Sequence, residues 1–360
     1  MNEQTQKEIY KKTLLRFLRI IAGKIPLPTL IEASGMRLFS PFYHSVGSAR
    51  TLPHICHLYP IRDAKQFEAE LDFLLKYFEP FSLEDLLQQA ENQDERSRNK
   101  NRFFLSFDDG LREVFDIAAP ILKRKGVPVT IFLNSAFVDN KGLFFRYKAS
   151  LLVNALKKRP PSEGEIAALE KLFSWESFSF SRNPTNVLEL QAALLAVNYQ
   201  NQDLLEEAAA LLEVDFEAFL KKQQPYLSTQ QILALSKDGF TFGGHSIDHP
   251  RYSALPFEQQ LRQTKSSVDF AKEKSRSSIK AFSFPFTDHR ISKKFFEQAS
   301  AENIFDVSFG TAGLKLDAFP FHFQRFPMEE NHWNARQSIH TEYLYFLLKR
   351  MVGKHKMRRY

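Results

Sequence analysis

Apolar runs of strand length take turns with helical patterns along most of this chain. "LFSPFYH", "RFFLSF", "VPVTIFL", "FTFGGH", "IKAFSF" and "IFDVSF" read as buried strands, being short, rich in aromatic and β-branched residues and bounded by turn residues. Between them lie amphipathic stretches near residues 64–77, 111–125, 255–274 and 292–301, together with "SLEDLLQQA" and "STQQILALSKDG", whose leading serines suit helix caps. Strands separated by helices pair in parallel, and the number of such units predicts an α/β fold, a distorted or incomplete (β/α) barrel. The alternation breaks once. From about residue 137 to 226 strand signals vanish, and Leu, Ala and Glu recur at helical spacing ("EIAALEKLF", "LELQAALLAV", "LLEEAAALL"), which predicts a helical insertion. The chain divides into a basic amphipathic N-terminal segment (1–37), a first barrel part (38–136), the insertion (137–226), a second barrel part (227–327) and a basic C-terminal helix and tail (328–360).

In parallel sheets and barrels the loops after the strand ends gather at one face, and chemistry is placed there. Two such loops stand out. "FFLSFDDG" finishes a strand with Asp108, Asp109 and Gly110. Neighbours on a strand point to opposite sides, so a turn is needed to bring both carboxylates into one pocket, and glycine suits that turn. Two carboxylates this close repel unless a cation sits beside them. "GGHSIDHP" follows another strand and spaces His245 and His249 four apart, as on one side of a helical turn that Pro250 would stop. That spacing alone more often marks surface or core histidines; the strand-end acid pair changes the weighting. Two imidazoles and a carboxylate leave open positions on Zn²⁺ or a similar ion, as a catalytic site requires. "HICH" at His54–His57, with Cys56, has the wrong partners and a loop-like setting, and is not read as a metal site.

The sequences "SFDDG" (Ser106–Gly110) and "HSIDH" (His245–His249), with a partial third motif "FSFPF" (Phe282–Phe286), resemble the polysaccharide deacetylase superfamily, carbohydrate esterase family four, over roughly residues 38–135 and 227–327. The helical segment lies outside that resemblance. It implies a metal-dependent hydrolase that removes the acetyl group of an N-acetylated amino sugar in a glycan. Asp109, His245 and His249 would hold Zn²⁺ or another divalent transition metal, Asp108 would be the general base, and the main-chain N–H of Phe286 would meet the oxyanion. The chemistry agrees, since a divalent ion brings the pKa of water toward neutrality and polarises a carbonyl, while the oxyanion needs a further donor. Two departures stand out. Ser283 replaces the arginine that orients the base in the family, which leaves Arg325 and Arg290 as candidates for that task. The general-acid L-x-H motif is absent, and neither His322 nor His340 matches it. "FYHSV" (Phe42–Val46) is similar to the permuted arrangement of biofilm poly-N-acetylglucosamine deacetylases, in which the acid histidine precedes the acid pair, and it nominates His44. Three other readings stay open: an O-acetyl glycan esterase on the same site, a non-catalytic glycan-binding relative, and a two-histidine, one-carboxylate iron oxygenase that would leave Asp108 unexplained.

The formal net charge of +7 sits largely in "KKTLLRFLR" and "KRMVGKHKMRRY" at the two ends, which suits an anionic surface or carrier better than nucleic acid. If residues 11–25 are helical, Leu14, Leu15, Leu18, Ile21 and Ala22 share a face opposite Lys12, Arg16 and Arg19, to pack on the domain or to rest on an anionic membrane. This stretch is too charged for a secretory signal and too short to span a bilayer. One cysteine gives no internal disulfide. The expectation is a cytoplasmic protein, peripheral at the inner membrane face, acting on an acetylated glycan that includes lipid-linked forms. The 36 phenylalanines read as an aromatic core, and Trp175 and Trp333 belong to no motif.

Overall fold

A computed structural model describes residues 3–92, 100–173 and 186–360, and Trp175 lies outside the described residues. The barrel strands are β1 (Pro41–Tyr43), β2 (Leu105–Phe107), β3 (Val129–Leu133), β4 (Thr241–Gly244), β5 (Ala281–Ser283), β6 (Val307–Gly310), β7 (His322–Gln324) and β8 (Phe326–Pro327). They form one sheet of order β7-β6-β5-β4-β3-β2-β1-β8, every pair parallel. Its two end strands are separated only by Arg325, so a single extended stretch pairs with β6 on one side and with β1 on the other. The ring is all but closed. The fold is the distorted parallel (β/α) barrel that the alternation predicted.

Two of the expected strands each serve two sheets. Leu38–Phe39 and Arg102–Phe103 pair with each other beside Glu79–Pro80 in a small parallel sheet, and the chain crosses at Ser40 and Phe104 into β1 and β2. An apolar run reveals burial but not the sheet in which each residue pairs, so the crossing left no mark in the sequence. The predicted helix over 111–125 is also divided, into a wide turn at Val114–Ala118 and a helix at Ala119–Lys125, with Pro120 supplying no N–H at the junction. Elsewhere caps fix the helix starts. Asp63 and Gln66 form a reciprocal capping box before Ala64–Tyr77, as do Ser228 and Gln231 before Thr229–Lys237, and Ser292 caps Lys293–Ala301.

Alternate strand residues divide between two cores. Phe107, Val129, Ile131 and Leu133 face outward into the layer packed under the helices, with Leu71, Leu122, Ile232 and Ile339. Phe104, Phe132 and Phe309 form a separate interior cluster, with Phe104 and Phe309 stacked at 4.8 Å. Helix Phe257–Ser275 lies directly on β4: a Cβ at Gly244 would come within 2.7 Å of the Ser267 backbone. Between residues 137 and 226 every described element is helical, with its own core around Leu152, Leu169, Leu190 and Leu205.

The N-terminal helix Glu3–Ala22 packs Leu18 and Ala22 inward and contacts helix Ala335–Met351, but leaves Tyr10, Leu14, Phe17, Ile20 and Ile21 exposed. The single apolar face expected from the sequence is therefore split between the domain and solvent. Among the described residues no helix is long and apolar enough to cross a membrane.

Candidate active site

The turn after β2 folds as the sequence requires. Asp109 takes φ 69° and Gly110 φ 63°, and a Cβ on Gly110 would come 2.7 Å from the Leu133 side chain, so this position needs glycine both conformationally and sterically. The reversal brings Asp108 and Asp109, both buried, to the same side as the loop after β4. In that loop His245 and His249 converge by a route other than the expected helical turn. Ser246 and His249 adopt φ 71° and 62°, and the Ser246 hydroxyl accepts the His249 N–H at 2.9 Å. Non-glycine residues in this region carry strain of about 1–3 kcal/mol each, which surrounding packing must hold.

Asp109, His245 and His249 each offer an atom within 4.8 Å of the others. His249 Nε2 is 3.3 Å and His245 Nε2 3.6 Å from Asp109 Oδ1. That oxygen is buried and has no hydrogen-bond partner, while Oδ2 accepts the Tyr147 hydroxyl at 2.6 Å. His245 Nδ1 lies 2.8 Å from the Ser283 carbonyl, which fixes the tautomer with Nε2 as the free electron pair. Burial lowers the His245 pKa to about 4, so the ring is neutral at neutral pH, as a ligand must be. An orphaned buried carboxylate oxygen facing two imidazoles fits a divalent transition metal.

Asp108 is held differently. Arg325 donates to both carboxylate oxygens at 2.7 and 2.8 Å and to Ser106 Oγ at 2.9 Å, and its other terminal nitrogen also donates to the Ser283 hydroxyl. The guanidinium is fully buried among Phe42, Phe132 and Phe309. Burial alone would raise the Asp108 pKa, but the Arg325 charge and hydrogen bonds hold it below the usual carboxylate range. Of the two arginines considered from sequence, Arg325 is the one bonded to Asp108, and Ser283 marks a place its guanidinium reaches. Arg290 is exposed and does not.

The sequence profile of the polysaccharide deacetylase family matches residues 95–172. The matched stretch, well under half of the chain, is similar to polysaccharide deacetylases. That likeness agrees with the expected enzyme class, hydrolases of carbon–nitrogen bonds other than peptide bonds. The match runs through the acid pair and on into the helical segment. The barrel is similar to the structure of the deacetylase PplD from Streptococcus pyogenes in complex with acetate, at 13% identity and TM-score 0.50, over 84% of this chain and 97% of that one. It is similar also to a de-N-acetylase from Aggregatibacter actinomycetemcomitans, at 11% identity and TM-score 0.51, over 84% of this chain and 99% of that one. No curated protein sequence matches the chain significantly.

His44 lines a cleft of about 310 Å³ together with Asp108, Asp109, His245, His249 and Phe286. Its Nδ1 lies 2.7 Å from Glu329 Oε2, an oxygen that also accepts the His44 main-chain N–H at 2.8 Å, and its ring stacks on Tyr59 at 4.4 Å. Burial would depress the imidazole pKa, but hydrogen bonding to and the charge of Glu329, with Asp109 and Asp108 behind, raise it to about 9. His44 is thus protonated at neutral pH. Glu329 is buried, on a segment that Arg62 fixes by donating to the carbonyls of Met328, Asn331 and Trp333. Nothing in the sequence marked Glu329.

Phe286, after β5, takes φ 57°; its carbonyl accepts the Thr311 hydroxyl, and its N–H has no partner among the described residues. The first turn of helix Phe145–Lys158 brings Tyr147 to Asp109, while Phe144 lies against His249 at 4.2 Å. The start of the helical segment therefore walls the cleft. His322 is bound to Ser308 and Asp288 in a cluster closed by Arg359, His340 to the Ala22 carbonyl, and His54 sits between the Tyr147 and Phe219 rings.

Because the proton on His44 is held by Glu329, Glu329→Gln should move the alkaline limb of the pH–rate profile down by about one unit or more. The direction follows from the raised pKa: the donor is protonated below it and lost above it. An unchanged limb would separate His44 from that titration.

Proposed function

We propose that this domain is a metal-dependent deacetylase that hydrolyses the acetamide of an N-acetylated amino sugar in a glycan. The reading is carried by one observation: the unpartnered Asp109 oxygen faces two imidazoles beside an Asp108 gripped by Arg325. Asp109, His245 and His249 would hold Zn²⁺ or another divalent transition metal. When bound, such an ion polarises the acetyl carbonyl and acidifies water. Asp108, ionised and fixed by Arg325, takes the proton of the attacking water. The free Phe286 N–H donates to the oxyanion that forms as the carbonyl becomes tetrahedral. His44 gives its proton to the departing amine, and Glu329 holds the ring in place for the transfer. The two structural neighbours, one a deacetylase seen with acetate and one a de-N-acetylase, are in keeping with this chemistry.

Acetate release from N- and O-acetylated oligosaccharides tests the reading. Release from the N-acetylated set, lost on chelation and restored by Zn²⁺, is expected; release from O-acetyl esters alone would make the protein an esterase. No release from any substrate, with metal supplied, would leave the fold without the activity.

The N-terminal helix supports a further part of the proposal, a cytoplasmic enzyme resting on the inner membrane face to reach lipid-linked glycans. Its exposed stripe of Tyr10, Leu14, Phe17, Ile20 and Ile21 is flanked by Lys11, Lys12 and Arg16, the composition of an interfacial helix. Flotation with anionic vesicles at low salt should follow, and should disappear when Phe17 and Ile20 become Glu. Flotation by neither protein, or by both equally, removes the membrane role.

A further inference from the structure

The helix that walls the cleft brings a positive charge with nothing to hold. Arg146, in the first turn of Phe145–Lys158, lines the cleft beside Asp108, Asp109, His249 and Phe286. Among the described residues no carboxylate or carbonyl accepts a hydrogen bond from it. The buried carboxylates of the cleft are turned to other partners, Asp108 to Arg325, Glu329 to His44 and Asp109 to Tyr147, while Glu330 is exposed at the rim and accepts nothing from Arg146. Lys148, two residues on, is paired with Glu206. Arg146 is therefore a mostly covered guanidinium without a counter-charge, an arrangement that costs free energy until an anion or water supplies the missing acceptors.

A second guanidinium reinforces the field. The Arg251 Cζ lies 5.3 Å from the centroid of the Phe286 ring, and that ring is part of the cleft wall. Burial first, and then the Arg251 charge, push the Arg146 pKa below its ordinary range. Glu330, an exposed carboxylate at the rim, is shared with an adjoining cleft that Lys11, Lys12 and Arg16 help to line.

We propose that Arg146, backed by Arg251, is a subsite for an oxyanion on the substrate, a phosphate ester or a carboxylate, and that the enzyme selects a negatively charged acetylated glycan. This rests on the deacetylase reading for the identity of the substrate, but not for the binding of the anion. A guanidinium offers paired donors to the oxygens of either group. The proposal gives the inserted helix a task beyond covering the cleft, since Arg146 and Tyr147 are delivered by the same turn.

Calorimetric binding distinguishes the parts. The probes are N-acetylglucosamine 1-phosphate, an N-acetylglucosaminyl-glucuronate disaccharide and the neutral methyl glycoside of N-acetylglucosamine, titrated into the full chain. At least one anionic probe should bind about tenfold tighter than the neutral one, the worth of one charge-assisted contact. Arg146→Gln should erase that preference and Arg146→Lys should keep part of it, each with an unchanged melting temperature. The double variant His245→Ala/His249→Ala should retain the preference, which separates this subsite from an anion held by metal. A preference for the phosphate alone assigns a phosphorylated acceptor such as a lipid-linked sugar, and one for the carboxylate alone assigns a uronate-containing glycan. Equal binding of all three probes by the parent, a preference that survives Arg146→Gln, or one that vanishes with the histidines would overturn the assignment. Because binding is read without turnover, a chain that releases no acetate but keeps the Arg146-dependent preference would sink the deacetylase reading and leave the subsite standing.

Discussion

Asp108→Asn should lower acetate release by about a hundredfold or more while the metal content stays at the parental level, as expected when a general base is removed, and it should also lower the melting temperature because the buried Arg325 loses its counter-charge. The amide keeps the size of the carboxylate, and its single oxygen can accept from one of the two Arg325 nitrogens. What it loses is the ability to take a proton from water. A near-parental rate would make Asp108 a structural partner of Arg325 and move the base elsewhere in the cleft.

Removing the other half of the pair should affect stability as well as rate. Arg325→Met leaves a buried carboxylate with no counter-charge, a change that costs about 3–5 kcal/mol at neutral pH. The pH dependence has a definite sign. The Asp108 pKa is depressed in the folded protein, so the stabilisation by Arg325 is present above the ordinary carboxylate pKa and is lost as pH falls through the folded value. The destabilisation in Arg325→Met should accordingly be greatest near neutrality and shrink in acid, because Asp108 then folds protonated. Moving the arginine is the sharper test. Since Arg325 already donates to the Ser283 hydroxyl, an arginine rooted at position 283 would reach the same carboxylate from the other side. The double variant Ser283→Arg/Arg325→Ser should therefore recover activity relative to Arg325→Ser alone. If Arg325→Met melts and turns over like the parent, the carboxylate is not held in the way described.

Asp108, Asp109, His245 and His249 were visible in the sequence because each lies at the end of an apolar run, where a parallel barrel gathers its loops. The structure places all four in one cleft with His44. The reason given for the histidines was wrong in its geometry. Four-residue spacing suggested a helical turn, whereas left-handed conformations at Ser246 and His249 aim the rings, and backbone angles of that kind leave no pattern in side-chain type. Arg325 could be named only as one of two possibilities, since its contact with Asp108 spans 217 positions and exists only because residues 322–327 close the ring between β6 and β1. Glu329 was unreadable for the same reason: its partner His44 is 285 positions away. Tyr147, Phe144 and Arg146 were missed because the helical stretch was set apart as an insertion, and periodicity tells which face of a helix is apolar without telling which end meets a distant cleft. The phenylalanine runs divide between an interior layer around Arg325 and an exterior layer under the helices, a partition that alternation along a strand predicts once the strands are placed.

Metal content, measured by elemental analysis on protein dialysed against excess Zn²⁺ and then against metal-free buffer, tests the site most directly. The account predicts about one equivalent of metal in the parent and in Asp108→Asn, and none above background in His245→Ala/His249→Ala, because the pair supplies two of the three ligands that converge on the unpartnered Asp109 oxygen. Equal metal in the parent and the double histidine variant, or no metal in either, would contradict it.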